Sequence, residues 1–362
     1  MTGQYYLLTF GFFSDYLPQF AMETNDFLYT LPERLIAQHP CESRDRSRMM
    51  IVNRKDGSIQ CRHFYEIEDF LHAEDALIIN NSKVIPARLR GKKPTGAGIE
   101  MLLLSAVEAP LRWEVLLKPA KRVRIGTRIF FDDRSWVDIT DRISDKKWVV
   151  EFHTDTDFDR FLERHGTAPL PPYIKRKDGS VDAVDHERYQ TVYAEKGGSV
   201  AAPTAGLHFS EGVLTALRRK EVDIVPVTLH VGYGTFLPIE ADRVEDHRME
   251  EESFEISVEA AEKINRARRI VATGTTAVRV LESSTGADGK ARAMTGHTDL
   301  FIYPGYRFKK VDCLLTNFHL PRSSLFLLVC AFAGKELMDR AYGIAIREGF
   351  RFYSYGDCML IL

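Results

Sequence analysis

From Ala76 to His153 apolar and polar residues alternate in short runs with almost no helical periodicity. The runs ALIIN (76–80), KVIPARLR (83–90), IEMLLLS (99–105), RWEVLLK (112–118), TRIFF (127–131), SWVDIT (135–140) and KWVVEFH (147–153) each predict a strand. Glycines 91, 96, 98 and 126 and the Asp132-Asp133 pair punctuate them. Short strands at roughly ten-residue spacing predict a small antiparallel barrel or sandwich. Beyond His153 the period lengthens. Asp157 to Arg164 reads as a short helix with Phe158, Phe161 and Leu162 on one face. Ser210 and Ser257 stand where N-caps belong, ahead of helices through Arg219 and Arg268. VDIVPVTL (222–229) and RIVAT (269–273) read as buried strands, the second followed by a one-glycine turn and a helix from about Thr276 to Ser283. VDCLLT (311–316), SSLFLLVCAFAG (323–334), ELMDRAYGIAIREG (336–349) and FRFYS (350–354) continue the β/α alternation, which implies a mixed or parallel sheet covered by helices. The expected architecture is α/β: a mixed-sheet domain over 22–75 and 154–362, interrupted by an inserted small antiparallel β-barrel over 76–153.

Composition narrows this picture little. A chain of 362 residues with 44% hydrophobic and 28% charged residues is an ordinary globular one, long enough for about two domains. The aromatic segment 1–21 carries no Lys or Arg and is interrupted by Asp15 and Pro18, so it is read as a disordered or mis-assigned extension before Met22 and not as a signal peptide. The longest apolar stretch, Leu325 to Ala333, is nine residues, too short to span a bilayer. Five cysteines without a C-x-x-C pair fit a reducing compartment, and a cytoplasmic location is expected.

Charge distribution changes more. Between Ser82 and Arg128 eleven basic residues face three acidic ones, a net +8, which leaves −10 for the remainder of a chain whose total is −2. Segregation of this kind suits a phosphate-binding surface, because Lys and Arg release counterions when they neutralise phosphates. A solvated charged barrel face would look similar; the cluster KPAKRVR (118–124) favours nucleic acid.

The familiar catalytic signatures are absent: there is no P-loop, no G-x-S-x-G, no H-E-x-x-H, and no glycine-rich dinucleotide fingerprint. Four loops rich in small residues, Thr and His stand out instead. They are GSVAAPTAGLHF (198–209), LHVGYGTF (229–236), TGTTAVR (273–279) and LTNFHLPRSS (315–324). The third leaves a strand and opens a helix, so its free N–H groups and hydroxyls suit an anionic group. Each loop alone reads equally as a sharp bend or a satisfied core histidine. Gathered at strand ends in an α/β sheet, the four together predict a small-molecule pocket whose ligand their physics does not name.

These segments carry a resemblance. LPERLIAQHP (31–40), NNSKVIPARLRGKK (80–93), LLKPAKRVRIGT (116–127), LPPYIKR (170–176), ERYQTVYAEKGGSVAAPTAGLHF (187–209), LHVGYGTFLP (229–238), VATGTTAVRVLES (271–283), the block from Thr298 to Leu325 and RFYSYGDCMLI (351–361) run in order. The chain resembles the S-adenosylmethionine:tRNA ribosyltransferase-isomerases of queuosine biosynthesis over about residues 26–362. Asn81 stands where Asp is frequent in that family, and Leu237 where a polar residue is common.

The resemblance implies a transferase that consumes S-adenosylmethionine as a ribosyl donor. The acceptor would be 7-aminomethyl-7-deazaguanine at the wobble position of tRNA, and the products epoxyqueuosine-tRNA, adenine and methionine. It implies no metal, no other cofactor and no membrane; a monomer is expected. A positioned base must remove the C5′ hydrogen that the sulfonium acidifies, and near-neutral pKa favours histidine. His208, His230 and His319 are the catalytic candidates, with Asp312 next among the carboxylates. Thr204, Gly206, Gly232, Gly234, Gly274, Thr275, Arg279, Tyr303 and Asn317 are the substrate-binding candidates, the Thr273–Thr276 turn and Arg279 being assigned to the methionine carboxylate. Arg88, Arg90, Lys118, Lys121, Arg122 and Arg124 are the tRNA-binding candidates. A non-catalytic tRNA-binding protein and an unusual tRNA methyltransferase are the alternatives.

Overall fold

The structure, a computed structural model, describes residues 21–108, 110–176 and 183–362. The extension expected over 1–21 therefore lies outside the described residues, Ala21 excepted. In chain order the first strands are β1 (Arg48–Val52), β2 (Ile59–His63), β3 (Asp75–Asn80) and β4 (Ser82–Val84). Next come β5 (Arg88–Lys92), β6 (Gly98–Glu108), β7 (Arg112–Lys118), β8 (Arg128–Phe130), β9 (Trp136–Arg142) and β10 (Lys147–His153). The chain continues with helix α1 (Phe158–His165), β11 (Gly166–Thr167), α2 (Ala183–Arg188), β12 (Lys196–Ser199), α3 (Glu211–Arg219) and β13 (Asp223–Leu229). It ends with β14 (Glu252–Ile256), α4 (Val258–Arg266), β15 (Arg269–Thr273), α5 (Gly274–Ser284), β16 (Met294–Thr298), β17 (Cys313–Asn317), α6 (Ser324–Ala333), α7 (Lys335–Arg347) and β18 (Cys358–Ile361).

Nine strands form one mixed sheet in the order β16-β14-β13-β3-β15-β17-β18-β1-β2. Its centre, β13-β3-β15-β17, is parallel. The two-residue period of β1 and β3 splits the core into two layers. Met50, Val52, Ala76 and Ile78 face the layer that holds α4 to α7, while Met49, Ile51, Leu77 and Ile79 face the layer that holds α3. Ser210 and Ser257 cap α3 and α4 as their sequence positions predict, their hydroxyls accepting from the amides of Val213 and Ala260.

Strands β5-β6-β7-β10-β9-β8 close on themselves through a β8–β5 pairing, giving a six-stranded antiparallel barrel with β11 added to β5. Phe158, Phe161 and Leu162 of α1 plug it, and Asp157 caps that helix by accepting from the Arg160 amide. The segment 76–80 does not belong to the barrel: β3 is buried at every position and pairs with β13 and β15 in the large sheet. Pro86 lies between β4 and β5 in what the sequence presents as one strand, consistent with its missing N–H donor. The chain leaves the carboxyl end of β3 into β4, which pairs in parallel with β12, before it enters the barrel at β5. FRFYS is not a strand either. Phe352 makes one isolated bridge to Ile36, Tyr353 turns left-handed at φ 71°, and the last strand is β18.

Candidate active site

The carboxyl ends of β13, β15 and β17 and the loop before β18 surround a cleft that encloses about 700 Å³ of empty space, its mouth included. Ligands of open α/β sheets bind outside the carboxyl ends of parallel strands. All four loops singled out from the sequence contribute: Thr204 from the first, Val231 and Thr235 from the second, Gly274, Thr275 and Thr276 from the third, and Asn317 and His319 from the fourth. Tyr173, Phe236, Phe318 and Tyr353 add aromatic walls, and among the described residues no Asp, Glu, Lys or Arg lines this chamber. A second chamber, about 1450 Å³ of empty space with its open mouth included, shares Val231, Thr235, Leu237, Thr275, Thr276 and Leu325 with it. Its walls carry Glu240, Asp246, Glu250, Glu251 and Glu252 against Lys146, Arg248 and Arg279, besides Gly232 and Gly234, and two of the five carboxylates are paired, Glu252 with Arg279 and Glu250 with Lys147. The two chambers therefore differ in chemistry: one neutral and aromatic, the other acidic.

Helix α5 opens on their common wall. Gly274 starts it at φ +83°, a conformation costly for a side chain, and Thr273 at its N-cap makes no side-chain bond to the first turn. The amides of that turn are thus left for a ligand, and the helix dipole favours an anion there. Arg279, by contrast, is fully engaged one turn further on. It pairs with Glu252, and donates from Nη2 to the Thr298 carbonyl (3.0 Å) and from Nε to the Leu300 carbonyl (3.1 Å). Glu252 in turn accepts from the Gly232 amide at 2.7 Å. Arg279 thus ties α5 to β14 and fixes the glycine loop that lines the second chamber, and its guanidinium is not free for a carboxylate.

The three histidines separate. His319 lies in the neutral chamber; its Nε2 is 3.0 Å from Thr316 Oγ1, its Nδ1 is buried without a partner, and burial pushes the imidazole down to about 3, so it is neutral. His208 does not line either chamber. Its Nδ1 meets Ser47 Oγ at 2.7 Å and its Nε2 meets Asn317 Nδ2 at 3.2 Å, and burial, with help from Arg351 and Arg44, pushes it to about 3. His230 is half-buried outside both chambers, its Nδ1 2.8 Å from Ser82 Oγ, and burial lowers its pKa. Asp312 accepts the Ile270 amide at 2.7 Å, away from the cleft. Gly206 serves packing: a Cβ there would strike the Tyr193 hydroxyl and the Thr191 methyl. Tyr303 stands one side chain behind the second chamber, against Phe301.

A family model described as a queuosine biosynthesis protein matches residues 24–361. The chain belongs to that family. It is 56% identical over 361 residues to the S-adenosylmethionine:tRNA ribosyltransferase-isomerase of Syntrophus aciditrophicus, a match that covers 94% of this chain and all of the relative. It is 48% identical over 347 residues to the protein of the same name in Halothermothrix orenii, with the same coverage. The crystal structure of the S-adenosylmethionine tRNA ribosyltransferase of Thermotoga maritima is 36% identical, covers 93% of this chain and superposes with a TM-score of 0.53.

The two departures from the family pattern have clear surroundings. Asn81 donates to Glu195 at 3.0 Å and accepts from the Thr228 hydroxyl at 2.7 Å, so the amide here fits a partner that is itself a carboxylate. Leu237 is 49% exposed and lines the rims of both chambers. Unpartnered buried polar atoms, which the sequence could not reveal, cluster in the neutral chamber: Asn317 Oδ1, His319 Nδ1, Thr276 Oγ1 and Tyr353 Oη. Buried polar atoms without partners are uncommon, and a cluster of them marks where a ligand completes the hydrogen bonding.

The basic candidates lie on the barrel. Arg88 donates to the Leu170 carbonyl (3.1 Å), and Arg90 approaches Glu100 at 3.5 Å. Lys118, Lys121 and Arg124 are exposed and have no ion pair among the described residues; the side chain of Arg122 lies outside them. The β9–β10 turn carries the barrel to the acidic chamber, where Lys146 joins the lining and Lys147 pairs with Glu250. Among the described residues no cluster of three or more His, Cys, Asp and Glu side chains could hold a metal ion, and no helix is long and apolar enough to cross a membrane.

Proposed function

We propose that this enzyme transfers and isomerises the ribosyl moiety of S-adenosylmethionine onto 7-aminomethyl-7-deazaguanine in the wobble position of tRNA. The products are epoxyqueuosine-tRNA, adenine and methionine, and the enzyme acts in the cytoplasm as a single chain without a metal. The observation that carries this reading is the pair of unlike chambers joined at the N-terminus of α5. An uncharged nucleobase suits the neutral aromatic chamber, and the ammonium of methionine suits the carboxylates of the acidic one. The methionine carboxylate suits the amides and hydroxyls of Gly274, Thr275 and Thr276 between them.

The sulfonium acidifies the C5′ hydrogen, and His319 is the group best disposed to accept it. In the tautomer whose Nε2–H donates to Thr316 Oγ1, the unpartnered Nδ1 carries the lone pair that takes the proton. Loss of the C5′ proton breaks the C4′–O4′ bond and leaves a C4′=C5′ vinyl sulfonium, while O4′ becomes the C1′ carbonyl as adenine departs with a proton. The tRNA amine adds to C4′ and gives up a proton, the C5′ carbanion so formed closes the carbocycle on C1′, and the C1′ alkoxide displaces methionine from C5′ to form the epoxide. The tRNA anticodon reaches this point along the barrel, whose exposed Lys118, Lys121 and Arg124 neutralise backbone phosphates. Incubation with S-adenosylmethionine and precursor-bearing tRNA should yield the epoxide nucleoside by mass, with adenine and methionine in equal amounts and no effect of a chelator. Release of S-adenosylhomocysteine without adenine would make the enzyme a methyltransferase and overturn the proposal.

A further inference from the structure

The neutral chamber contains one acceptor whose orientation is settled by its surroundings. Asn317 is 3% exposed and ends β17. One of its amide atoms lies 3.0 Å from the Tyr353 carbonyl, an acceptor only, so that atom must be the nitrogen Nδ2. The same nitrogen lies 3.2 Å from His208 Nε2, which must therefore offer a lone pair, so the proton of the imidazole sits on Nδ1 and is donated to Ser47 Oγ at 2.7 Å. Ser47 Oγ passes its own hydrogen to the Arg44 carbonyl at 3.3 Å. Both N–H groups of Asn317 are thus occupied, and Oδ1, which has no partner, is held as an acceptor. The low pKa of His208, set mainly by burial, keeps the imidazole neutral and this chain of bonds intact.

We infer that Asn317 Oδ1 accepts a hydrogen bond from the exocyclic amine of the ligand's purine, and that His208 is a positioning residue which fixes the Asn317 amide in that orientation. The inference rests on the binding of S-adenosylmethionine proposed above. An N–H donor could come from the nucleobase or from the methionine ammonium. The chamber favours the nucleobase: its walls are Tyr173, Phe236, Phe318 and Tyr353, and it offers an ammonium no carboxylate. A 6-oxo purine would bring an acceptor against Oδ1 and leave both buried without a proton between them, a mismatch worth roughly tenfold to a hundredfold in affinity.

The test is a set of dissociation constants measured by calorimetry for S-adenosylmethionine, its 6-oxo analogue and its analogue lacking the methionine amine. Wild-type enzyme that fails to bind S-adenosylmethionine would contradict the proposed function itself. Given that binding, the wild type should prefer the 6-amino over the 6-oxo ligand by about tenfold to a hundredfold. His208→Leu, which frees the amide to turn over, should compress that ratio to within about threefold. His208→Gln, whose carbonyl can stand in for Nε2, should restore most of it, which a merely structural role for His208 would not produce. Asn317→Ser removes the acceptor without touching His208 and should abolish the ratio even if His208→Leu fails to fold. A ratio that survives Asn317→Ser overturns the inference. So does a His208→Leu enzyme that stays folded and keeps the wild-type preference, or one in which only the affinity difference for the desamino analogue changes.

Discussion

At the scale of single residues, His208 and His319 carry the most specific consequences. Both are buried and held near a pKa of about 3, against about 6.5 for an exposed imidazole. Between those values only the unfolded chain binds the proton, so their contribution is complete above pH 6.5 and is lost as the pH falls toward 3. Each removes up to about 1.4 kcal/mol of stability per pH unit over that window. Urea midpoints measured from pH 7 to pH 4.5 should fall steeply in the wild type and less steeply in His208→Gln and His319→Gln; equal slopes would mean that neither imidazole is buried neutral. Turnover separates them further. Loss of a positioned base costs roughly a hundredfold to ten-thousandfold, so His319→Ala should lose that much kcat while His230→Ala, outside both chambers, should stay within a few fold. The sequence indicated the loops that supply these residues, because small residues and histidines cluster there. It could not rank the three histidines, since what distinguishes them is the partner of each ring nitrogen, and those partners come from segments as distant as Ser47 and Ser82. Arg279 shows the same limit: its spacing suggested a ligand, but Glu252 and the carbonyls of Thr298 and Leu300 already occupy it.

At the scale of elements, that Arg279–Glu252 pair joins α5 to β14 at a point where both side chains are more than nine-tenths buried. Removing one partner of such a pair leaves an uncompensated buried charge and costs about 3–5 kcal/mol. Glu252→Ala should lower stability by that much and also loosen the Gly232 loop. The double change Glu252→Leu with Arg279→Met should cost less than Glu252→Ala alone, and chemical denaturation of the three proteins distinguishes the outcomes. Elements with a local signature were legible in advance: the capped helices α3 and α4, the strand–turn–helix of β15 and α5, and the evenly spaced barrel strands. Elements defined by distant pairing were not. β3 reads like the barrel strands that follow it, yet it is buried on both faces at the centre of the parallel sheet, and apolar runs of that length do not say which sheet they join. β1 and β18 pair in parallel across more than 300 residues of chain, a relation that no periodicity encodes.

At the scale of the whole molecule, charge segregation and architecture coincide. The +8 segment forms one side of the barrel, but its charges are not equally available. Arg128 is bound to Asp138 through both Nε and Nη2, at 2.8 and 2.9 Å, and Arg112 and Arg90 lie near Glu108 and Glu100. Lys118, Lys121 and Arg124 remain exposed without ion pairs among the described residues, beside Ile125, which is 61% exposed. Neutralising a phosphate releases counterions, so each such contact adds roughly one unit to the dependence of log affinity on log salt. Changing Lys121, Arg122 and Arg124 together to Ala should therefore weaken tRNA binding and flatten its salt dependence by roughly two to three units. Affinity for S-adenosylmethionine, whose proposed site lies at the carboxyl ends of the parallel strands, should hardly move. Arg128→Ala is the internal control: its charge is already balanced by Asp138, so the salt slope should change little. Filter binding of tRNA from low to moderate salt measures all three proteins. A triple variant that keeps the wild-type slope would remove the barrel from the tRNA path and return its basic strip to an ordinary solvated surface.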